Sequence, residues 1–373
     1  MKDIVVLAGS TPWSVLSLCK CAYKYKVKTY AVCVNNVWGK KYAHSRYVFK
    51  GYDVRENELN GFWDVFFAEN SFADKPILYV TNDYVCQLIQ QNRPFYEQHF
   101  SLCMASPYIV ESFIDKNKAC NEAARHGLVV PKTKEILFSK DIDEIINCFQ
   151  FPVIVKPVTF RDHSLAGFKT QICKNAVELT SFLHTSWKED IHLQCQEYIP
   201  GEDKDCWFYQ FYRNKDGKMM VCMGEKTLQT NGIMTIGTTK CDKQLDEICR
   251  LFLDCIDYVG IGGIEFKKYN GQFYFIEMST RTEGFLPISD MAEVSLAEAS
   301  FRDFSGKLWN EKRQIEQTRY VVFLSWLLNA VKTHNAFYAI GSYIRMIFSR
   351  KTKFVGSFLE WPFMIKMYTK RLK

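Results

Sequence analysis

The chain has 373 residues, 47% of them hydrophobic and 24% charged, which is the composition of a globular protein with more than one domain. Its formal net charge of +7 is concentrated near the end, where eight basic residues follow position 344 against Glu360 alone. A general nucleic-acid-binding protein would need a basic face elsewhere as well, so we expect no nucleic-acid partner.

The fourteen cysteines are scattered, and no Cys-x-x-Cys pair occurs among them. The first apolar segment, residues 3–8, is too short for a signal peptide and predicts a buried strand. We therefore expect reduced, mostly buried thiols, no zinc site and a cytoplasmic protein.

The N-terminal region predicts a strand–helix–strand unit, with a helix at 13–25 and a second strand at 27–34. This order is typical of a doubly wound parallel sheet, although the Gly-x-Gly-x-x-Gly dinucleotide fingerprint is absent. A further strand at 76–80 leads into Thr81-Asn82-Asp83. Polar residues there can line a ligand-binding edge, but we interpret Asp83 as a helix cap only.

The middle of the chain predicts a helix opening at Asp115-Lys116 and a buried strand over 151–157 that ends in Lys156-Pro157. A polar loop is expected at 159–169. The strand that starts at 193 breaks at Pro200-Gly201, which leaves backbone donors and acceptors suited to the edge of an adenine ring. Further strands are expected at 206–212 and 218–227, and helices at 174–184 and 242–259.

Two apolar runs, 262–266 and 273–281, flank an Asn-Gly pair that favours a tight hairpin turn. Glu265 and Glu277 then lie on adjacent antiparallel strands with converging carboxylates. Such carboxylates repel each other unless a cation lies between them, and magnesium takes oxygen ligands of this kind. The alternative is an ordinary hairpin with two solvated glutamates.

In chain order, Asp115-Lys116, Val155-Lys156, Gln196 to Gly201, Glu265 and Glu277-x-Ser279-x-Arg281 together resemble the ATP-grasp superfamily. The resemblance covers roughly residues 1–305. Within that superfamily the chain looks most like carboxylate–amine ligases of the D-aspartate ligase and carbamoyl-phosphate-synthase-like type.

The resemblance implies ATP and Mg²⁺ as cofactors and assigns a role to each matching residue. By this resemblance, Lys116 and Lys156 contact the phosphates. The residues that contact the nucleoside are Gln196, Glu197, Tyr198, Ile199 and Asp203. The metal ligands are Glu265, Glu277 and Ser279, and the catalytic residues are Arg281 and Lys156. In such chemistry a substrate carboxylate attacks the γ-phosphorus and an amine then attacks the acyl phosphate.

Two departures from the family pattern keep other functions open. Ser279 stands where the family usually has asparagine, and the loop after Lys156, usually glycine-rich, contains only Gly167. Arg161, His163 or Lys169 would then supply side-chain contacts to the phosphates. One alternative is a nucleotide-binding protein without ligase turnover in surface-polysaccharide or cell-wall synthesis, and another is a bicarbonate-dependent carboxylase or carbamoyl-phosphate-type enzyme.

The implied fold is mixed α/β and α+β in three parts: a Rossmann-like domain at 1–108, a two-lobed ATP-grasp domain at 109–305 and a basic, aromatic, helical region at 306–373. Apolar runs at 320–331 and 336–348 are too short to span a bilayer. We expect them to cap the catalytic lobes; an anionic membrane interface is the alternative. Small carboxylate and amine substrates are the expected partners, and a homodimer stays open.

Overall fold

The computed structural model describes residues 1–8, 12–36, 38–137, 140–188, 190–230, 232–334 and 336–355. Residues 9–11 and 356–373, which include the basic residues Lys366, Lys370, Arg371 and Lys373, lie outside the described residues. The helical prediction for residues 356–373 therefore stays a prediction.

The N-terminal region is a parallel five-stranded sheet with strand order β3-β2-β1-β4-β5. Its central strands are buried on both faces, as their continuous apolar runs predict. Asn82 caps the helix after β4 by accepting a 2.9 Å hydrogen bond from the Val85 amide. The elements are β1 Ile4–Ala8, α1 Pro12–Tyr23, β2 Thr29–Val34, α2 Gly39–Tyr42, β3 Lys50–Val54, α3 Leu59–Glu69, β4 Ile77–Val80, α4 Asp83–Gln91, α5 Arg93–His99 and β5 Ser101–Leu102.

Two helices, α6 Pro107–Ile114 and α7 Lys116–Arg125, lead into a small lobe built on an antiparallel four-stranded sheet of order β6-β9-β7-β8. The small lobe has a hydrophobic cluster of its own, made of residues between Ile136 and Cys195. Its elements are β6 Thr133–Ile136, α8 Lys140–Cys148, β7 Val153–Pro157, α9 Phe160–Ala166, β8 Gln171–Cys173, α10 Ala176–Ser186 and β9 Leu193–Glu197.

The prediction of a polar loop at 159–169 is wrong, because helix α9 occupies most of this segment. The Thr159 side chain accepts a hydrogen bond from the Asp162 amide, and the Asp162 carboxylate accepts one from the Thr159 amide at 3.0 Å. This reciprocal capping starts a helix inside a polar segment, and Gly167 ends the helix with φ of 72°.

A seven-stranded sheet of order β14-β13-β10-β11-β12-β15-β16 forms the large lobe, and all its pairings are antiparallel except β15 with β16. Asn270 and Gly271 both have positive φ, 48° and 79°, as a two-residue hairpin turn of the predicted kind requires. The elements are β10 Cys206–Arg213, β11 Met219–Thr230, β12 Ile233–Thr239, α11 Lys243–Cys255, β13 Gly260–Tyr269, β14 Gln272–Ser279, α12 Pro287–Met291, α13 Leu296–Phe304, β15 Arg319–Val321, α14 Phe323–Thr333, α15 Ala336–Ile347 and β16 Thr352–Phe354.

Two hydrophobic clusters join the N-terminal sheet to the large sheet. One contains Val5 and Trp63 together with Trp207 and Phe275, and the other contains Ile4 together with Phe208. The N-terminal sheet and the large lobe therefore share a continuous core, whereas the small lobe is packed around a separate one. The division of the chain at residue 108 stays a prediction.

Helices α14 and α15 confirm the helical prediction for the described part of the C-terminal region, but β15 and β16 also add two short strands to the large sheet. A cluster of Val321, Trp326, Ala330, Ala339 and Met346 packs the two helices together, with Leu228 and Ile236 of the large sheet against it. Within the described residues, no helix is both long and apolar enough to cross a membrane.

Candidate functional site

The two hairpin glutamates face each other across the β13–β14 ladder. Glu265 and Glu277 are register partners, and Gly263 pairs with Ser279 two positions further along. Directly opposed residues of antiparallel strands place their side chains on the same face about 5 Å apart. The Asn-Gly turn sets the register as far as the Phe266–Phe275 pair, and a register shift just beyond that pair places Glu265 opposite Glu277. The hairpin therefore brings the two carboxylates together, as the sequence predicted, but only with this irregularity in the ladder.

Lys226 of β11 completes this pair and was missed by the sequence reasoning. Its ammonium group forms an ion pair with the Glu265 carboxylate, and its side chain is only 4% exposed. Lys226 reaches Glu265 across β10, which pairs with both β11 and β13. A signal was present, because strand alternation places Lys226 on the same face as the buried Met220 and Cys222.

The two glutamates have pKa values displaced in opposite directions. Burial raises the pKa of Glu265 to about 7, and Glu277 adds to the rise although Lys226 opposes it. Burial also disfavours the charge on Glu277, but Lys226, Lys116, Lys169 and Lys156 outweigh it and lower the pKa of that carboxyl. Glu277 is exposed to solvent, so its carboxylate is accessible to a ligand.

The small lobe contributes Lys156 and Gln196 from neighbouring strands β7 and β9. The Lys156 ammonium donates a 2.7 Å hydrogen bond to the Gln196 side-chain oxygen. Burial lowers the pKa of Lys156, and the Glu277 carboxylate partly offsets that effect. Gln196 also donates to the Thr133 hydroxyl at 3.1 Å, so the orientation of its side chain is fixed.

Lys116 is the first residue of α7, where Asp115 caps the helix by accepting from the amides of Asn117 and Lys118. The Lys116 ammonium donates to the carbonyls of Pro157 and Val158, at 3.0 and 3.2 Å. Lys116 therefore lies beside the end of β7 and close enough to Lys156 and Glu277 to influence their pKa values. We call Lys116, Lys156, Lys226, Glu265 and Glu277 the lysine–glutamate cluster.

The segment predicted to read the nucleoside follows β9, which ends at Glu197 as the Pro-Gly break predicts. The exposed Glu197 accepts a 3.2 Å hydrogen bond from the Lys132 amide, Tyr198 is half-buried and Ile199 is buried. Both carboxylate oxygens of Asp203 accept hydrogen bonds from Gln229, one from its backbone amide at 2.7 Å and one from its side-chain amide at 3.3 Å. The role of Asp203 with ribose stays a prediction.

Arg281 follows the hairpin and is held by two carboxylates. Its guanidinium donates to both oxygens of Asp83, at 2.8 and 3.0 Å, and to Glu283 at 3.3 Å. Burial opposes the charge, but these carboxylates raise the pKa of Arg281. The interpretation of Asp83 as a helix cap only is wrong, because Asn82 is the cap and Asp83 joins the N-terminal sheet to the hairpin.

The side chains expected to replace a glycine-rich loop lie on or next to α9. Arg161 and His163 are exposed on this helix. Lys169 is exposed beyond the helix and donates to the Gly232 carbonyl at 3.4 Å, and its charge helps to lower the pKa of Glu277. Lys169 is thus near the lysine–glutamate cluster, and a phosphate contact for any of the three stays a prediction.

A cavity of about 530 Å³ lies elsewhere, lined by Lys24, Asp290, Glu298, Arg302 and Trp309 among others. It contains none of the predicted site residues. Several of its charged side chains are already engaged, for example Lys24 with Glu298 at 3.4 Å and Asp290 with Ser295. This cavity is therefore separate from the lysine–glutamate cluster.

Residues 121–284 match the family model of the ATP-grasp domain. The chain contains an ATP-grasp domain. The matched range includes every predicted site residue except Lys116, which lies five positions before it. The match agrees with the resemblance drawn from the residues.

Known proteins similar to this chain include the N5-carboxyaminoimidazole ribonucleotide synthase of Synechococcus elongatus, which is 24% identical over 225 residues. That alignment covers 59% of this chain and 51% of the relative, so it spans about half of the relative's length.

Two solved structures illustrate the shared fold. A crystal structure of N5-carboxyaminoimidazole ribonucleotide synthetase in its ADP complex has a TM-score of 0.70 at 13% identity, covering 93% of this chain and 86% of that one. The biotin carboxylase domain of the Hydrogenobacter thermophilus 2-oxoglutarate carboxylase, with MgADP and bicarbonate, has a TM-score of 0.65 at 16% identity, covering 84% and 72%. At these identities the likeness shows the fold alone.

Proposed function

We propose that this protein is an ATP- and magnesium-dependent ligase that joins a carboxylate to an amine through an acyl phosphate. The observation that carries the proposal is the lysine–glutamate cluster, in which four residues that match the ATP-grasp pattern lie together with Lys226 of β11. Lysines that face carboxylates across a cleft suit a ligand with phosphate oxygens on one side and a divalent cation on the other.

Lys116 and Lys156 would neutralise the phosphate oxygens of ATP. Gln196 holds Lys156 in place through its 2.7 Å hydrogen bond, so the ammonium group is oriented before a nucleotide binds. Glu197, Tyr198 and Ile199 would contact the adenine and Asp203 the ribose.

The residues present fit a magnesium ion. Glu277 is open to solvent and its pKa is lowered, so a carboxylate is available at neutral pH. The described residues contain no group of three or more His, Cys, Asp or Glu side chains able to hold a metal. Magnesium often uses one or two carboxylates with water and substrate phosphates, so Glu277 and Glu265 would suffice, with Ser279 as a neutral oxygen beside them. When bound, the ion neutralises charge on the transferred phosphoryl group.

The reaction needs no protein nucleophile. A substrate carboxylate oxygen bonds to the γ-phosphorus as the bond to the β-phosphate oxygen breaks and ADP leaves. The amine nitrogen then bonds to the acyl carbon, phosphate departs with the bonding electron pair, and the nitrogen loses a proton. Lys156 would stabilise negative charge on the transferred group, and Arg281, oriented by Asp83, would face the acyl phosphate.

Bicarbonate as the carboxylate is the second candidate, which makes the reaction a carboxylation. The similar proteins favour it, since one is a synthase of a carboxyamino compound and the structure of another contains bicarbonate. Phosphate release that depends on added bicarbonate would distinguish this candidate from ligation of an organic acid.

The test is ATP binding by calorimetry together with phosphate release in the presence of magnesium and candidate acid and amine pairs. Lys116→Ala, Lys156→Ala and Glu277→Ala should each weaken binding of Mg-ATP. Lys118→Ala is the control for Lys116→Ala, because Lys118 is exposed on the same first turn of α7. If Lys156→Ala and Glu277→Ala bind Mg-ATP as tightly as the parent protein, the assignment is wrong. Tight binding without substrate-dependent phosphate release would favour the nucleotide-binding alternative.

We also propose that the enzyme works in the cytoplasm. All fourteen cysteines are free thiols, ten of them buried, as the sequence predicted, and this pattern suits a reducing compartment. A homodimer is a further proposal, since the biotin carboxylase domain with a similar fold is described as a dimer. Light scattering of the purified chain would test it.

A further inference from the structure

The C-terminal helix α15 has two apolar faces, and only one of them is covered. Ala339, Tyr343 and Met346 face the α14–α15 cluster. Phe337, Ile340, Ile344, Ile347 and Phe348 recur at helical spacing on another side and are between 46% and 87% exposed. We call these five side chains the outer stripe of α15. A contiguous stripe of large apolar groups in water is costly and usually marks a binding surface.

The charge around the outer stripe indicates what it binds. Residues 317–359 contain six Lys or Arg and no Asp or Glu at all. Lys332, Arg345, Arg350 and Lys351 are exposed there. A helix with one bulky apolar face and a basic surround is typical of segments that lie in an anionic membrane interface.

Charge also argues against the two other candidate occupants of the stripe. The segment 361–373 carries four basic residues and no acidic one. Packing it on α15 would bring like charges together, and so would stacking this face on a second copy of the chain. An anionic lipid surface instead gains attraction from every one of these charges.

We propose that α15 docks the protein on the surface of an anionic membrane through the outer stripe, with the surrounding basic residues facing lipid headgroups. The helix lies in the interface and does not cross it, since α15 has only 12 residues. Its other face stays packed against α14, so docking leaves the cap on the large sheet intact.

The test is flotation of the full-length protein with vesicles of phosphatidylcholine alone and of phosphatidylcholine mixed with phosphatidylglycerol. We expect binding to the anionic vesicles only, weakened by salt because exposed charges are screened. Ile344→Asp should reduce the bound fraction roughly tenfold, since it places a negative charge in the apolar stripe. Val177→Asp is the matched control, because Val177 is also an exposed apolar residue on a helix, α10, and should leave binding unchanged.

Circular dichroism and ATP binding of Ile344→Asp establish that the variant is folded. Absence of binding to both kinds of vesicle at low salt would overturn the proposal, and so would equal binding by the parent protein and folded Ile344→Asp. Two further results would overturn it by naming another occupant. The first is binding to vesicles that occurs only after residues 356–373 are deleted, which would mean that this segment covers the outer stripe. The second is a parent protein that does not bind vesicles and forms a dimer that Ile344→Asp dissociates, which would mean that a second copy of the chain covers the stripe.

Discussion

Replacing Lys226 by methionine should make the free energy of unfolding decrease as the pH rises above about 7. In the parent protein, the titration of Glu265 no longer changes the free energy of unfolding in that pH range. The substitution keeps the length of the side chain and removes the ammonium group from Glu265, whose side chain is 17% exposed. Removing one partner of a buried ion pair usually costs about 3–5 kcal/mol, because the other charge is left unpaired. Glu265 can avoid most of that loss by taking up a proton, since its pKa is already about 7.

The direction of the pH effect follows from the displaced pKa. In the parent, Glu265 has a higher pKa folded than unfolded, so its contribution to stability decreases as pH rises toward about 7 and is constant above it. Lys226 lowers that pKa, so its removal raises the folded pKa further and extends the decrease above pH 7. The limiting slope is about 1.4 kcal/mol per pH unit for one proton, or about 2 kcal/mol between about pH 7 and about pH 8.5.

Urea denaturation of the parent, Lys226→Met and the double variant Lys226→Met/Glu265→Gln at several pH values measures this difference. The double variant has no titrating carboxyl at 265 and should lose the extra slope. If Lys226→Met shows the same pH dependence as the double variant between pH 7 and 8.5, the coupling of Lys226 to Glu265 is refuted.

Three other predictions concern single substitutions in the hairpin, beside it and in α3. Asp83→Asn weakens the pair that holds Arg281 and should lower the free energy of unfolding by about 1–2 kcal/mol in urea denaturation, because a charged hydrogen-bond acceptor is lost; an unchanged value would contradict this anchoring. Gly262→Ala should destabilise by about 1–3 kcal/mol, since its Cβ would come within 2.7 Å of the Tyr258 hydroxyl oxygen. Gly61→Ala, in an open position of α3, should instead stabilise by about 0.5–1 kcal/mol, and thermal denaturation that ranks the two the other way would contradict both.

The parts of the site that the sequence predicted are those with local signals. The Asn-Gly turn specifies the hairpin and places Glu265 and Glu277 on neighbouring strands. Their direct pairing also needs the register shift next to Phe266, because the turn alone would place Glu265 opposite Ile276. Lys156 was recognisable because a lysine at the end of an apolar strand, fixed by proline, has few structural reasons to be there. In these cases the information lies within about ten residues, which is the range over which turn chemistry and strand period act.

The parts that the sequence did not predict depend on contacts between distant segments. Asp83 and Arg281 are 198 positions apart, so nothing near Asp83 indicates its partner. Lys226 meets Glu265 only because β10 lies between their strands. The helix α9 was misread for a local reason, since Thr159 and Asp162 look like loop residues until their reciprocal hydrogen bonds are recognised as a helix start.

The separate core of the small lobe has a mechanical consequence. Lys156 and Gln196 belong to the small lobe, whereas Glu265, Glu277 and Lys226 belong to the body that shares its core with the N-terminal sheet. Lys156 and Glu277 are thus carried by two different bodies, and the attraction between their charges acts from one body to the other. We expect a bound nucleotide with its cation to contact both residues and to replace their direct attraction. The distance between the two bodies then depends on the ligand.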